Sequence, residues 1–291
     1  MMKTCSIKSV YEAVVRMRGI DPNTADIGEG ERILICDWIN ERVVEGWEAE
    51  FWPELMVVER RQYRASWNEE VNYSTGDEVY YEDADGEGGY YVSLADVNVG
   101  HIPGADGSDD FWAVVGDDFV RSIDFQQSGE TVIGGADEMK CVYDRDPRVY
   151  PDTKPLENIE VFGERILVKT RTAPLRPWVM FRPEPRQFSL KAWSAETGYA
   201  IADLVYVADT GHTYIALKPS TNKNPVSETE YWMPVEFPLF LKRYVIHAVN
   251  ADQMTEDEGR YKEEGKADKK LENLRQRKVD QVKVRKAVWV C

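Results

Sequence analysis

The stretch Phe237-Pro238-Leu239-Phe240-Leu241-Lys242-Arg243-Tyr244-Val245-Ile246-His247-Ala248-Val249-Asn250-Ala251 decides how the rest of the chain is organised. Leu241, Tyr244, Val245, Ala248 and Ala251 recur at three- and four-residue intervals, which lines apolar side chains along one face of a helix. After Met254 a short acidic patch with Gly259 interrupts the pattern, and a run rich in Glu, Lys, Arg and Gln follows from Tyr261. The spacing predicts an αα-hairpin over 237–281. One hairpin cannot bury its own apolar face, so it needs a partner helix from elsewhere in the chain.

That partner lies near the other end. From Glu29 to Phe51, Cys36, Ile39, Val43 and Trp47 follow a helical stripe, Ile35 and Trp38 widen it, and Pro53 stops it. A helix of about six turns results. Before it, Ser6 or Ser9 is placed to cap a shorter helix through Val10, Val14 and Met17 that ends at Gly19, ahead of the Asp21-Pro22 turn. Leu55 to Arg64 alternates as a strand leaving the long helix, so residues 1–64 read as one N-terminal, mainly helical part.

Between the two helical ends the chain repeats itself. Trp67, Tyr73, Val79, Tyr80, Tyr91, Pro103 and Trp112 match Trp193, Tyr199, Val205, Tyr206, Tyr214, Pro225 and Trp232, and the leading Trp-to-Tyr and Tyr-to-Val spacings are six residues in both copies. The first copy carries extra residues at Asp83-Ala84-Asp85-Gly86-Glu87-Gly88-Gly89 where the second has Asp209-Thr210-Gly211-His212, as a hairpin turn tolerates. Two small β-modules held by aromatics are expected, over 65–118 and 191–236. Residues 119–190 between them read as a central antiparallel region, with strand-like Ile123-Asp124-Phe125, Cys141-Val142-Tyr143, 160–168 and 178–182 separated by Pro-rich punctuation. The expected fold is α+β, a helical core from the N- and C-terminal helices with a central β region and two inserted modules.

Composition narrows the function. With 291 residues, 43% apolar and 11% aromatic, the chain has ample material for a core. A net charge of -16, from 36 basic and 52 acidic residues, argues against tracking a nucleic-acid backbone over most of the surface. The charge is unevenly spread: no Lys or Arg occurs between Arg64 and Arg121, whereas basic residues outnumber acidic ones from Gly259 onward. Either these are solvated faces, or one end is suited to meet an acidic surface. Cys5, Cys36, Cys141 and Cys291 are isolated, which favours reduced thiols in cytosol over a zinc site or a disulfide framework. No apolar run approaches signal-peptide or membrane-spanning character.

Chemistry-bearing motifs are lacking. His101, His212 and His247 have no metal-ligand spacing, and no nucleophile elbow, Walker loop or dinucleotide fingerprint occurs. Asp83-x-Asp85-Gly86-Glu87 and Asp106-Gly107-x-Asp109-Asp110 are open to calcium by composition, but neither has the spaced EF-hand pattern, and Asp/Gly turns are common. No enzymatic activity, cofactor or metal is expected.

The repeated segments resemble the small chitin-binding modules of carbohydrate-binding families five and twelve. The second copy supplies Ala192-Trp193, Tyr199, Asp203, Val205, Tyr206, Tyr214, Ala216, Pro225 and Trp232, and the first Ser66-Trp67, Tyr73, Gly76-Asp77, Val79, Tyr91, Pro103 and Trp112. Ala202 stands where that pattern has Gly. The resemblance implies that Trp67, Tyr73, Tyr91, Trp112, Trp193, Tyr199, Tyr214 and Trp232 either build miniature cores or grip sugar, and it specifies the fold more strongly than the ligand. Host-surface polysaccharide is the partner under this alternative, with the duplication supplying avidity.

A second resemblance covers nearly the whole chain. The segment Glu45-Gly46-Trp47-Glu48-Ala49-Glu50-Phe51-Trp52-Pro53-Glu54-Leu55, then Ser128-Gly129-Glu130-Thr131, Ile133-Gly134, Tyr143-Asp144-Arg145-Asp146-Pro147-Arg148, Phe181-Arg182-Pro183 and the closing hairpin, is similar to the head-to-tail adaptor (connector) proteins of tailed bacteriophages. It implies a virion protein made in the host cytoplasm that sits in the neck as a ring, commonly of about twelve copies. The partners it implies are the chain itself, the portal protein above and a tail tube or nozzle protein below, with genomic DNA passing through unbound. Acidic walls fit such a conduit, because they repel phosphate. The tail 282–291 is basic and alternates like a strand, so Lys283, Arg285, Lys286 and Trp289 are expected to dock on portal or a neighbouring subunit by adding to a sheet edge. The other reading of this tail is a disordered basic terminus.

Overall fold

The computed structural model describes residues 3–22, 27–116, 119–127, 131–170, 174–254 and 257–288, with side chains described through residue 277. The fold is α+β, and among the described residues every strand ladder is antiparallel. The chain opens with β1 (Thr4–Cys5), α1 (Ile7–Met17), α2 (Glu29–Glu48) and β2 (Val57–Arg60). Next come β3 (Glu78–Glu82), β4 (Gly88–Ser93), β5 (Trp112–Val114), β6 (Ser122–Asp124), β7 (Met139–Tyr143), β8 (Ile159–Phe162), β9 (Arg165–Val168) and β10 (Trp178–Phe181). Then follow β11 (Gly198–Tyr199), β12 (Leu204–Val207), β13 (His212–Ala216), β14 (Ser220–Thr221), β15 (Trp232–Val235) and β16 (Phe237–Pro238). Helices α3 (Lys242–Asp252) and α4 (Asp257–Val288) close it. No helix among the described residues is long and apolar enough to cross a membrane.

Two compact units divide the chain, Met1–Glu54 with Pro185–Cys291 in one, and Leu55–Glu184 in the other. This differs from the division expected from sequence. The stretch 55–64 leaves the N-terminal helices for the second unit, because β2 is an outer strand of the sheet β2-β10-β7. Residues 185–190 leave the central region for the first unit, where Asn40 holds Phe188 by both backbone groups, at 2.8 and 2.9 Å.

In the first unit, Ser6 caps α1 through the amide of Ser9, and Ile7, Val10, Val14 and Val15 are buried. Glu29 and Glu31 occupy the first turn of α2, where carboxylates favour the helix dipole. The expected stripe of α2 is buried at Ile35, Cys36, Ile39, Val43 and Trp47. The helix stops at Glu48 rather than Phe51, because the Trp52 indole N–H donates to the Gly46 carbonyl at 2.8 Å and folds the chain back over the last turn. The two segments of this unit are stitched by β1 against β16, Thr4 opposite Pro238 and Cys5 opposite Phe237.

The predicted hairpin over 237–281 is α3 and α4, with its first residues in β16 instead of helix. The segment 282–291, expected as a strand, differs more. Its residues through Val288 continue α4, since no Gly or Pro follows Gln281 to break the helix. At 1.5 Å per residue α4 is about 48 Å long against about 17 Å for α3.

The second unit contains the sheets β2-β10-β7, β6-β9-β8 and β3-β4-β5. Its core gathers Tyr63, Tyr80, Tyr90, Ile123, Phe125, Ile133, Val142, Ile166, Val168, Val179 and Phe181.

Candidate functional site

Helices α1 and α2 both pack on α3, and α2 passes it closely at Gly46. A Cβ there would lie 2.8 Å from the Tyr244 ring and 3.3 Å from Leu241. Glycine is therefore required by the neighbouring helix and not by its own backbone. Trp52 meets Phe240 with ring centroids 5.7 Å apart, and Phe188 meets Phe237 at 5.4 Å. Arg42 pairs with Asp252 at the far end of α3. Burial pushes the Cys36 thiol up to about 12 and raises the Tyr244 hydroxyl as well.

Against its other side α3 receives α4, which buries Glu263, Ala267 and Leu271 at four-residue spacing. Burial alone would raise the Glu263 carboxyl. The hydrogen bonds from Lys266 and from His247 on α3 outweigh it and hold the group below its ordinary range. Further along, α3 and α4 part to leave a groove of about 650 Å³. Its apolar floor is Leu239, Phe240, Tyr244, Ile246 and Leu274, and its rim carries Lys242, Arg243, Lys270 and Arg277, with no carboxylate lining it among the described residues. Lys242 bonds the Ser9 hydroxyl at 3.1 Å, whereas Arg243, Lys270 and Arg277 have no carboxylate partner among the described residues. The basic excess after Gly259 was the sequence signal for this site. Periodicity hid the contribution of Lys242 and Arg243, which flank the apolar stripe of α3.

The two repeats are built alike. The Trp67 amide donates to Tyr80 and that of Tyr80 to Ala65; the Trp193 amide donates to Tyr206 and that of Tyr206 to Lys191. Tyr73 sits edge-on to Trp112 at 5.3 Å, and Tyr199 to Trp232 at 5.2 Å. Each of these tyrosine hydroxyls accepts an amide N–H at 2.8 Å, from Asn68 and Ser194. Asp77 and Asp203 each accept an amide three residues back at 2.7 Å. Trp67 and Trp193 each bury an indole nitrogen without a hydrogen-bond partner.

Of the residues singled out from sequence, Tyr73, Trp112, Tyr199, Tyr214 and Trp232 are buried in the module interiors, and Trp67, Tyr91 and Trp193 pack against them half-buried. The structure thus gathers all eight into two miniature cores. The ring that precedes each closing Trp is covered as well: His101 stacks on Phe111 at 3.4 Å, and Lys223 lies 5.0 Å from the Tyr231 ring centre. Lys283, Arg285 and Lys286 fall on α4 and not on a strand, their side chains beyond the described ones, and Trp289 lies outside the described residues.

In the loop considered for calcium, the Asp83 carboxylate accepts the amides of Asp85 and Glu87, which is how a turn occupies an aspartate. Among the described residues no three His, Cys, Asp or Glu side chains are grouped to hold a metal. Comparisons with protein-family models, with curated proteins and with solved structures find no match to this chain.

Proposed function

We propose that this chain is a structural protein of a tailed-phage particle, a head-to-tail adaptor that assembles with its own copies into a ring, joins portal to tail and leaves a path for DNA. The observation that carries this is the seam at Gly46, where the helix from the start of the chain meets the helix from its end. In this reading α1–α4 are the ring core and the two aromatic modules are insertions into it. One further observation supports it. The acidic balance suits a wall that DNA must slide past without being held. The neck of the virion is its place, with portal and a tail tube or nozzle protein as neighbours.

Negative-stain images of the purified protein, alone and mixed with portal, test this. Closed rings coaxial with portal are expected. A chain that remains a monomer under both conditions, and is missing from purified virions, overturns it.

A further inference from the structure

The hairpin tip of the second module is already a docking element. Gly211 sits at that tip, between β12 and β13, and its carbonyl accepts the Lys8 amide at 3.1 Å, satisfying one of the free N–H groups at the start of α1. In the first module the same tip is longer and carries Asp83, Asp85 and Glu87, all exposed. It belongs to a stretch, from 65 to 120, without a single Lys or Arg. The groove between α3 and α4 has the opposite character, with a basic rim, an apolar floor and, among the described residues, no acidic lining residue. Both features are unusual in their setting, one a basic groove in a chain of net charge -16, the other an acidic loop with no basic residue nearby in sequence.

We propose that the acidic tip 83–87 of one copy seats in the α3–α4 groove of the next, so that Asp85 and Glu87 meet Lys270, Arg277 and Arg243. The contact is head-to-tail: tip and groove are different surfaces of the same chain, so each copy keeps one free tip and one free groove until the assembly closes into a ring. It rests on the ring reading above and adds the surface that joins neighbours. Opposite charges at the rim steer encounter and fix register, while the apolar floor excludes water beneath them. The contact weakens as salt rises, because the rim charges are partly exposed.

Zero-length carbodiimide cross-linking of a mixture of isotope-labelled and unlabelled protein, read by mass spectrometry, tests the pairing on the native chain. Mixed-label links between Lys270 and Asp85 or Glu87 are expected; links confined to one chain overturn the proposal. Assembly is then followed by sedimentation, alone and with portal. Lys270→Glu with Arg277→Glu, and separately Asp85→Lys with Glu87→Lys, are expected to weaken self-association roughly tenfold or more, and mixing the two variants to restore it. Wild-type rings that persist unchanged in both variants overturn the contact and leave the ring reading standing. Wild-type protein that never self-associates overturns both. Loss of binding to a DNA oligonucleotide in the groove variant, with assembly unchanged, would reassign the groove to phosphate.

Discussion

The modules 65–118 and 191–236 enclose the same ring pair, Tyr73 on Trp112 and Tyr199 on Trp232, yet they rest on different ground. The inward residue of the first hairpin strand, Val79 or Val205, belongs to the module's own core in both copies. Its neighbour points to the opposite face, as pleating requires. Tyr80 there joins the core of the second unit. Tyr206 is raised above its ordinary pKa by burial, with charged Arg32 and Glu12 and the hydroxyl of Tyr11 from the α1–α2 region around it. A module of this kind keeps its inner face by aromatic spacing and is free to change the foundation it stands on, because the two faces of a strand answer to different partners.

The largest effect should show the copies to be equal. Trp112→Ala and Trp232→Ala each remove a buried anchor and are expected to cost about 3–5 kcal/mol in denaturant unfolding. A gap between them well above about 1 kcal/mol would show that the interiors are not equivalent.

The next prediction separates the copies. Gly86 and Gly211 both have positive φ, +84° and +72°, but only at Gly211 would a Cβ come within 2.8 Å of another residue, the Cβ of Lys8. Gly86→Ala should cost about 1 kcal/mol from backbone strain alone. Gly211→Ala should cost about 3 kcal/mol, adding an overpacked contact, and should speed amide exchange at Lys8. Equal costs would mean that the second tip is not seated on α1.

Smaller still is the effect of the one departure inside the shared pattern. Ala202, at φ +70°, occupies the position of Gly76, at φ +93°. Ala202→Gly is therefore expected to stabilise the second module by about 1 kcal/mol and Gly76→Ala to destabilise the first by a similar amount. Thermal unfolding reads both signs.

The smallest effect concerns acid. Glu82 is held below its usual 4.5 by the Tyr80 hydroxyl and by Arg176, and the hydroxyl itself is pushed up to about 12, first by burial. Ala208 takes the place of Glu82 in the second copy. A depressed carboxyl contributes stability that is present above the unfolded value and is lost as pH falls through the folded one. Below pH 4.5 the first module should thus lose a small contribution that the second never had, and Glu82→Gln should flatten the difference in an acid titration followed by tyrosine fluorescence.

Much of this was legible in the residues. Apolar periodicity located α1, α2 and α3, and the paired six-residue spacings located the two aromatic clusters, because burial leaves its period in sequence. What escaped depended on distant partners. The end of α2 is set by an indole that reaches back to Gly46, and nothing in the local pattern at Glu48 announces it. The alternation of Val282, Val284 and Val288 suggested a strand, but an unbroken helix arriving from Asp257 outweighs a short two-residue period. The basic groove was half visible, as the surplus of Lys and Arg after Gly259; its other rim belongs to a helix read only for its apolar side.

The pairing of β1 with β16 has a consequence for biosynthesis. Leu55–Glu184 is one uninterrupted piece and is positioned to close as it leaves the ribosome, while Met1–Glu54 has no partner until the segment beyond Pro185 has been translated. The apolar stripe of α2 therefore stays uncovered on the nascent polypeptide while the whole of Leu55–Glu184 is made. It is sheltered only once α3 has been made, so that the late helices complete the unit and bring its surfaces into competence together.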